Sequence, residues 1–428
     1  IIMSINKNIV VFIRSHNDFD HILPILDYLI NVKLLNVTIY GVTSQGYEKC
    51  EKHILYVTEV LKTDIIPFEQ IHYNYFSRYI LILADLMYKK PKCKLHLLNL
   101  FFAFLLSNFR RLIQEIVSIH VRKFIINLPK NTILLADFST ENHFPYKYFI
   151  KYSNKFNIPI VAYLHGYYIF DNLNPIKSKK QRAPSKVSYF INKYLFGKCA
   201  RYYDGYLVGT YQKDKYFKSN LYGTFTKHSR VIEIGVPRFT REWISKFSVG
   251  YGLSSYKKRH KKSIKVALFV SNIKFGVNTE LVNKIVNKLV AVNGVDLKIV
   301  PHTRGIGHES DFNASLVAKK SSSEIIEWAD IGIVYGTSMI FEMLVRRVTV
   351  VIPKFIDSNT TIFEGKNICI ESNSVEDLVE FICDIKSVEN KINNIDVDNF
   401  INEYVYANCK TYEDLMDKFY YNIINFKK

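Results

Sequence analysis

The strongest constraint on this chain is an alternation that occurs twice. Short apolar runs of strand length alternate with longer stretches of helical periodicity, and a polar break at residues 245–263 (SKFSVGYGLSSYKKRHKKS) separates the two series. Alternation of this kind favours parallel sheets covered by helices, because parallel strands need crossovers long enough to hold a helix. In the first series the spacing predicts strands at residues 8–13, 36–42, 132–136, 159–164, 205–208 and 231–234. In the second it predicts strands at 265–270, 296–300, 331–335, 348–352 and 368–370, with helices at 279–292 and 375–385. A chain of 428 residues is too long for one ordinary core, so two domains are expected. Their bounds are residues 1–244 and 264–390, joined by a basic linker at 245–263. Residues 391–428, with an aromatic-rich helical pattern from Phe400 to Phe426, are expected to be C-terminal helices that pack back on one of the two domains, the first being the domain assigned to them.

Composition removes several function classes. The six cysteines lack CxxC spacing, which indicates neither a zinc site nor a disulfide framework and fits a reducing compartment. The formal charge of +19 attracts polyanions. Its two densest runs, residues 177–186 and 257–265, have no interleaved aromatic platform, and no helix-turn-helix pattern occurs, so nucleic acid is not the expected partner. No secretory signal precedes the first apolar run, and a cytoplasmic location is expected. The longest charge-free apolar stretch, residues 95–109, holds 15 residues, short of the ~20 a spanning helix needs. Flanked by Lys92, Lys94, Arg110 and Arg111, it reads either as a core helix or as a segment lying on an anionic membrane surface.

Polar loops following parallel strands lie at their carboxyl ends, where doubly wound sheets bind ligands. The richest runs from Tyr335 to Glu342. There an apolar strand breaks at Gly336-Thr337-Ser338 into a helix whose unpaired N–H groups attract an anion such as phosphate, with Thr337 or Ser338 as its cap. Glu342, four residues after Ser338, shares its helical face and can accept hydrogen bonds from sugar hydroxyls. Phosphate donors beside a carboxylate for a diol point to a nucleotide. Ser271 and Asn272 follow the first strand of the same half and would extend the phosphate wall. His302 and Arg304 follow its second strand, and Asn359 and Thr360 its fourth. In the first half the loops carry Asp18, the Asp137–Glu141 run, and His165-Gly166.

The order Pro301-His302-x-Arg304, Glu327-Trp328-Ala329-Asp330, Gly336-Thr337-Ser338, Glu342, Pro353 and Asn359-Thr360-Thr361-Ile362-Phe363-Glu364 resembles the donor half of GT-B glycosyltransferases, closest to those of bacterial surface polysaccharide synthesis. Asp137, the segment from Ile158-Pro159 to Leu164-His165-Gly166, and Ile234-Gly235-Val236-Pro237-Arg238 are similar to the acceptor half of such enzymes and of their polyol-phosphate transferase relatives. The resemblance covers roughly residues 130–370. It implies two Rossmann-like domains facing each other across a cleft, and an enzyme that moves a sugar from a nucleotide-activated donor to a glycan or lipid-linked acceptor. It also implies a diphosphate held on a helix N-terminus with no metal and no further cofactor, and work on the inner face of the membrane. Asp18 and Asp20 have DxD spacing, but a capping role for the following helix fits them better than a metal role. On the same fold, a polyol-phosphate transferase using a CDP-linked donor and a sugar-nucleotide 2-epimerase are the alternatives.

Transfer from a nucleotide diphosphate requires donors for the leaving phosphate and, in an inverting enzyme, a base for the acceptor hydroxyl. His302 and Arg304 supply donors in this reading, with the amides near Thr337 and Ser338. Glu342 would hold the ribose, and Asn359 and Thr360 would meet the donor sugar or its phosphates. His165, Glu141 and Asp18 are the candidates for the base, with Asp137 as an orienting group.

Overall fold

A computed structural model describes residues 7–42, 46–88, 96–141, 143–172, 202–218, 230–249, 263–302, 312–384 and 392–426. Two parallel sheets organise them. The first has the order β3-β2-β1-β4-β5-β6-β7. Its strands are β1 (Asn8–Ile13), β2 (Asn36–Gly41), β3 (Ile65–Pro67), β4 (Thr132–Asp137), β5 (Ile160–Tyr163), β6 (Gly205–Val208) and β7 (Arg230–Glu233). The second has the order β12-β11-β10-β8-β9, built from β8 (Ile264–Phe269), β9 (Val295–Val300), β10 (Ile331–Val334), β11 (Thr349–Pro353) and β12 (Ile370–Ser372). Every strand pairing is parallel, and central strands such as β4 and β5 are buried along their whole length. Helices cover both faces, which is why these strands read as continuous apolar runs rather than as alternating ones.

The α/β expectation holds strand by strand, most ends agreeing within two residues. Strand β3 escapes the sequence pattern because it has three residues, sits at a sheet edge and ends in Pro67. The apolar stretch at 95–109 proves to be the first half of one long helix, His96–Ile126. That helix is anchored by Phe124, whose ring lies 5.1 Å from Phe68 edge-on.

The break at 245–263 begins later than its composition implied. Ser245 to Val249 complete the helix Arg241–Val249, since Trp243 and Phe247 lie one turn apart and both pack on Tyr56, at 5.4 and 5.7 Å. Residues 250–262 lie outside the described residues, as do most of the two basic runs.

The aromatic pattern of the last stretch resolves into two helices, Asn394–Tyr404 and Tyr412–Ile424. Both meet the first sheet's half. Val236 N donates to Val405 O at 2.7 Å, and the approach is so close that a Cβ on Gly235 would lie 2.1 Å from that same carbonyl. Tyr28 Oη donates to Asp417 at 2.8 Å.

Candidate functional site

In the first sheet β1 lies between β2 and β4, so the chain leaves β1 toward one side and β4 toward the other. Their carboxyl ends form the switch point where doubly wound sheets bind ligands, and three side chains converge there. Asp18 comes from the first turn of the helix His16–Asp27, Asp137 is the last residue of β4, and His165 stands two residues beyond β5. His165 Nδ1 lies 2.7 Å from Asp137 Oδ2, 3.1 Å from Ser139 Oγ and 3.9 Å from Asp18 Oδ1. Asp137 is fully buried, and its other oxygen accepts from Ser139 N at 2.7 Å and Ser139 Oγ at 2.5 Å. The carboxylate of Asp18 accepts from Arg14 N at 3.0 Å and Ser15 Oγ at 2.5 Å, which ties down the loop that enters the helix.

Electrostatics separates the two carboxylates. Burial pushes Asp18 up to about 6, and the neighbouring Asp137 charge adds to that. Burial acts on Asp137 in the same direction, but the charge and hydrogen bond of His165, with those of Ser139, hold it below the usual carboxylate range. Asp137 is therefore the ionised partner. It fixes the Nδ1 proton of the imidazole, and the neutral ring then carries its lone pair on Nε2. An imidazole so oriented can take a proton from a hydroxyl. The same three side chains offer ligand atoms within 4.8 Å of one another, a two-carboxylate, one-histidine set that suits a divalent cation in donor type.

The second sheet has its own switch point, between β8 and β10. Ser271, beyond β8, is buried, and a Cβ on Gly336, beyond β10, would lie 2.8 Å from Ser271 Oγ. Gly336 has φ +64°, the left-handed region where a side chain is strained. Thr337 Oγ1 accepts from Met339 N at 3.3 Å, whereas Ser338 makes no side-chain capping bond, so Thr337 is the residue that closes the turn into the helix Met339–Val345. Asn272 Oδ1 accepts from Lys274 N at 3.0 Å and shapes the turn after β8. His302 follows β9, and Arg304 lies outside the described residues.

The two switch points meet. Phe170, five residues after His165, reaches the Gly336 turn, and its ring lies 5.0 Å from Phe275. Backbone bonds run from Asp171 N to Thr360 O and from Ile362 N to Ile169 O, both 2.9 Å, around an antiparallel bridge between Phe170 and Thr361. Arg238, buried at the edge of the first sheet, pairs with Asp20 and with Glu342 across the junction, the latter at 3.3 Å. Burial alone would raise Asp20, yet the Arg238 charge and a hydrogen bond from His53 keep it well below the ordinary range.

The candidates thus fall into groups. Asp18, Asp137 and His165 come together. Glu141 does not join them: its carboxylate turns toward β6 and accepts from Tyr206 Oη at 2.7 Å, and burial raises it to about 7. Glu342 is buried rather than open, with Arg238, Ser323 Oγ at 3.0 Å and Arg346 at 3.3 Å on its carboxylate. Asn359 and Thr360 tie the halves together, the Asn359 amide donating to Phe275 O at 2.7 Å and its oxygen accepting from Asn172 at 3.2 Å. Two residues of the junction carried little sequence signal. Arg238 stood out only through the Gly-Val-Pro-Arg run after β7. His21 read as an ordinary helical residue, yet its ring approaches Gly166 and burial lowers it to about 3, a neutral imidazole beside the cluster.

No family model matches the chain, and no curated protein matches its sequence. Solved structures do. Anabaena Alr3699/HepE, determined with UDP and glucose, superposes with a TM-score of 0.53 at 10% identity, over 98% of this chain and 100% of that one. A glycosyltransferase from Rickettsia africae gives 0.49 at 12% identity, over 99% and 100%. The wall teichoic acid polymerase TagF gives 0.49 at 10% identity, over 98% and 89%. The likeness to HepE extends over both sheets and shows that the chain has the GT-B fold, as the sequence resemblance implied.

Proposed function

We propose that this GT-B chain is a glycosyltransferase that moves a sugar from a nucleotide-activated donor to a surface glycan or lipid-linked acceptor. The observation that carries the reading is the meeting of two switch points, with a carboxylate-oriented histidine on one and a glycine–serine turn suited to phosphate on the other. In this reading the donor diphosphate lies along Ser271, Gly336 and Thr337, where His302 and Arg304 join them. Glu342, already shared with Arg238, takes the ribose. His165 Nε2 accepts the proton of the acceptor hydroxyl, Asp137 stabilises the imidazolium that forms, and the sugar passes to the hydroxyl oxygen as the nucleoside diphosphate departs.

Thermal shift with UDP-, GDP-, CMP- and CDP-linked ligands tests the donor side, because a ligand bound only by the folded state raises its melting temperature. One nucleotide class is expected to do so, and Glu342→Gln is expected to reduce that shift. His165→Ala is expected to abolish turnover while sparing the shift. The reaction is expected to run without added metal and to survive a chelator, an outcome that separates His165 as a base from His165 as a ligand. Interconversion of a nucleotide sugar with no acceptor present would replace transfer by epimerisation, and a response confined to CDP-linked polyols would replace the sugar by a polyol phosphate.

A further inference from the structure

The helices Tyr75–Tyr88 and His96–Ile126 pack against each other in the first sheet's half, joined by Ser77 Oγ to His120 Nε2 at 3.0 Å and Arg110 to Asp85 at 2.7 Å. The long helix buries Ile113, Val117, Val121, Phe124 and Ile125. Its other side is equally apolar yet open to solvent. Leu105, Phe109, Leu112, Ile116, Ile119 and Ile126 are 45, 46, 58, 56, 48 and 48% exposed. Their spacing of four or three residues, with Lys123 dividing the last step of seven, keeps them within about 100° of the helix circumference, a stripe roughly 30 Å long. The partner helix shows a second stripe, in which Phe76, Tyr79, Ile82 and Leu86 are exposed at intervals of three and four. Isolated exposed apolar residues are ordinary, but two continuous stripes on one hairpin are not.

Charge decides what covers them. Residues 75–126 hold nine Lys or Arg against two acidic residues, and both acids are spoken for, Asp85 by Arg110 and Glu115 by Lys151 at 3.2 Å. Arg111 and Arg122 flank the long stripe and Lys123 lies within it, all three exposed. A second copy laid on this face would bring like charges together. Anionic headgroups would neutralise them, with the long basic side chains reaching up past the apolar layer. Among the described residues no helix is long and apolar enough to cross a membrane, so the hairpin would lie on the surface rather than pass through it.

We infer that this hairpin is a membrane-docking face, seating its two apolar stripes in the headgroup region of a bilayer rich in anionic lipid. The inference stands apart from the transfer reaction, since it uses no residue of the two switch points. The test is flotation of the full chain with phosphatidylcholine vesicles, with and without about one third phosphatidylglycerol. Retention on the anionic vesicles alone is expected, and it should fall with added salt. Leu112→Ser with Ile116→Ser and Ile119→Ser, and separately Arg111→Glu with Arg122→Glu, are each expected to reduce it at least tenfold while leaving the circular dichroism melt and the nucleotide-induced thermal shift in place. Absence of retention on anionic vesicles overturns the inference. So does equal retention by the serine variant, or a dimer in light scattering that the serine variant converts to monomer without any vesicle binding, which would give the face to a second copy.

Discussion

Replacing Asp137 by Asn isolates the orienting role of this carboxylate with little change in shape. In the native arrangement both oxygens accept, one from Ser139 N and Oγ and the other from His165 Nδ1. Asparagine has one oxygen and one amino group. The Ser139 backbone N–H can only donate, so the oxygen must stay with it, and the amino group must then face His165 Nδ1. An N–H aimed at Nδ1 requires the lone pair there and moves the ring proton to Nε2, the atom proposed to act as the base. The variant thereby loses a charge-assisted hydrogen bond worth about 1.5–3 kcal/mol and the general base itself, which contributes about 10²–10⁴ in rate. A fall in kcat within that range is expected, with the nucleotide-induced thermal shift unchanged because the turn proposed for the donor lies on the other sheet. Nitrogen NMR of the His165 ring would report the tautomer directly. A fall of less than about tenfold, or a ring that keeps its proton on Nδ1, would refute the reasoning.

Three further outcomes follow from the same geometry. Gly336→Ala is expected to lower stability by about 1–2 kcal/mol through its left-handed backbone, and to weaken nucleotide binding because the new Cβ meets Ser271 Oγ; an unchanged melting temperature and affinity would contradict this. Arg238→Met leaves Asp20 and Glu342 buried without their shared cation and is expected to cost about 3–5 kcal/mol in urea unfolding at neutral pH. Asp20 is held below its ordinary range, so its contribution is present at neutral pH and fades as pH falls; the gap between variant and native protein must therefore narrow in acid. Asp18 has the opposite sign. Its carboxyl is raised to about 6, so its ionisation costs the folded state stability as pH rises from about 4 to 6, and Asp18→Asn is expected to gain on the native protein across that window and to stay level below it.

The parts of the site visible in the sequence are those set by local rules. Asp137 and His165 are polar residues at the ends of apolar runs, Asp18 lies in the first turn after such a run, and Gly336 breaks a strand into a helix. Their convergence was not visible. It depends on β1, β4 and β5 lying side by side, although more than a hundred residues separate the first two in sequence. Glu141 was attractive for a related reason, as a carboxylate in a polar loop, and only the register of β6 brings Tyr206 over to claim it. Glu342 read as a carboxylate open to sugar hydroxyls because its partner Arg238 is distant in the chain, and an open carboxylate and a buried ion pair look alike in one dimension. The helix end at Ser245–Val249 was hidden by small polar residues. Their composition resembles a loop, while the packing of Trp243 and Phe247 on Tyr56 overrides it.

The backbone bonds between residues 169–171 and 360–362 have a kinetic meaning as well. They are the only ladder-like pairing among the described residues that joins the His165 segment to the loop at 360–362, and in the proposed transfer they are the contacts that part when substrate enters. The amide protons of Asp171 and Ile362 are held in these bonds while the two halves are joined and meet water when they part. Their exchange with deuterium is therefore a clock built into the chain, one that ticks at the rate of its breathing.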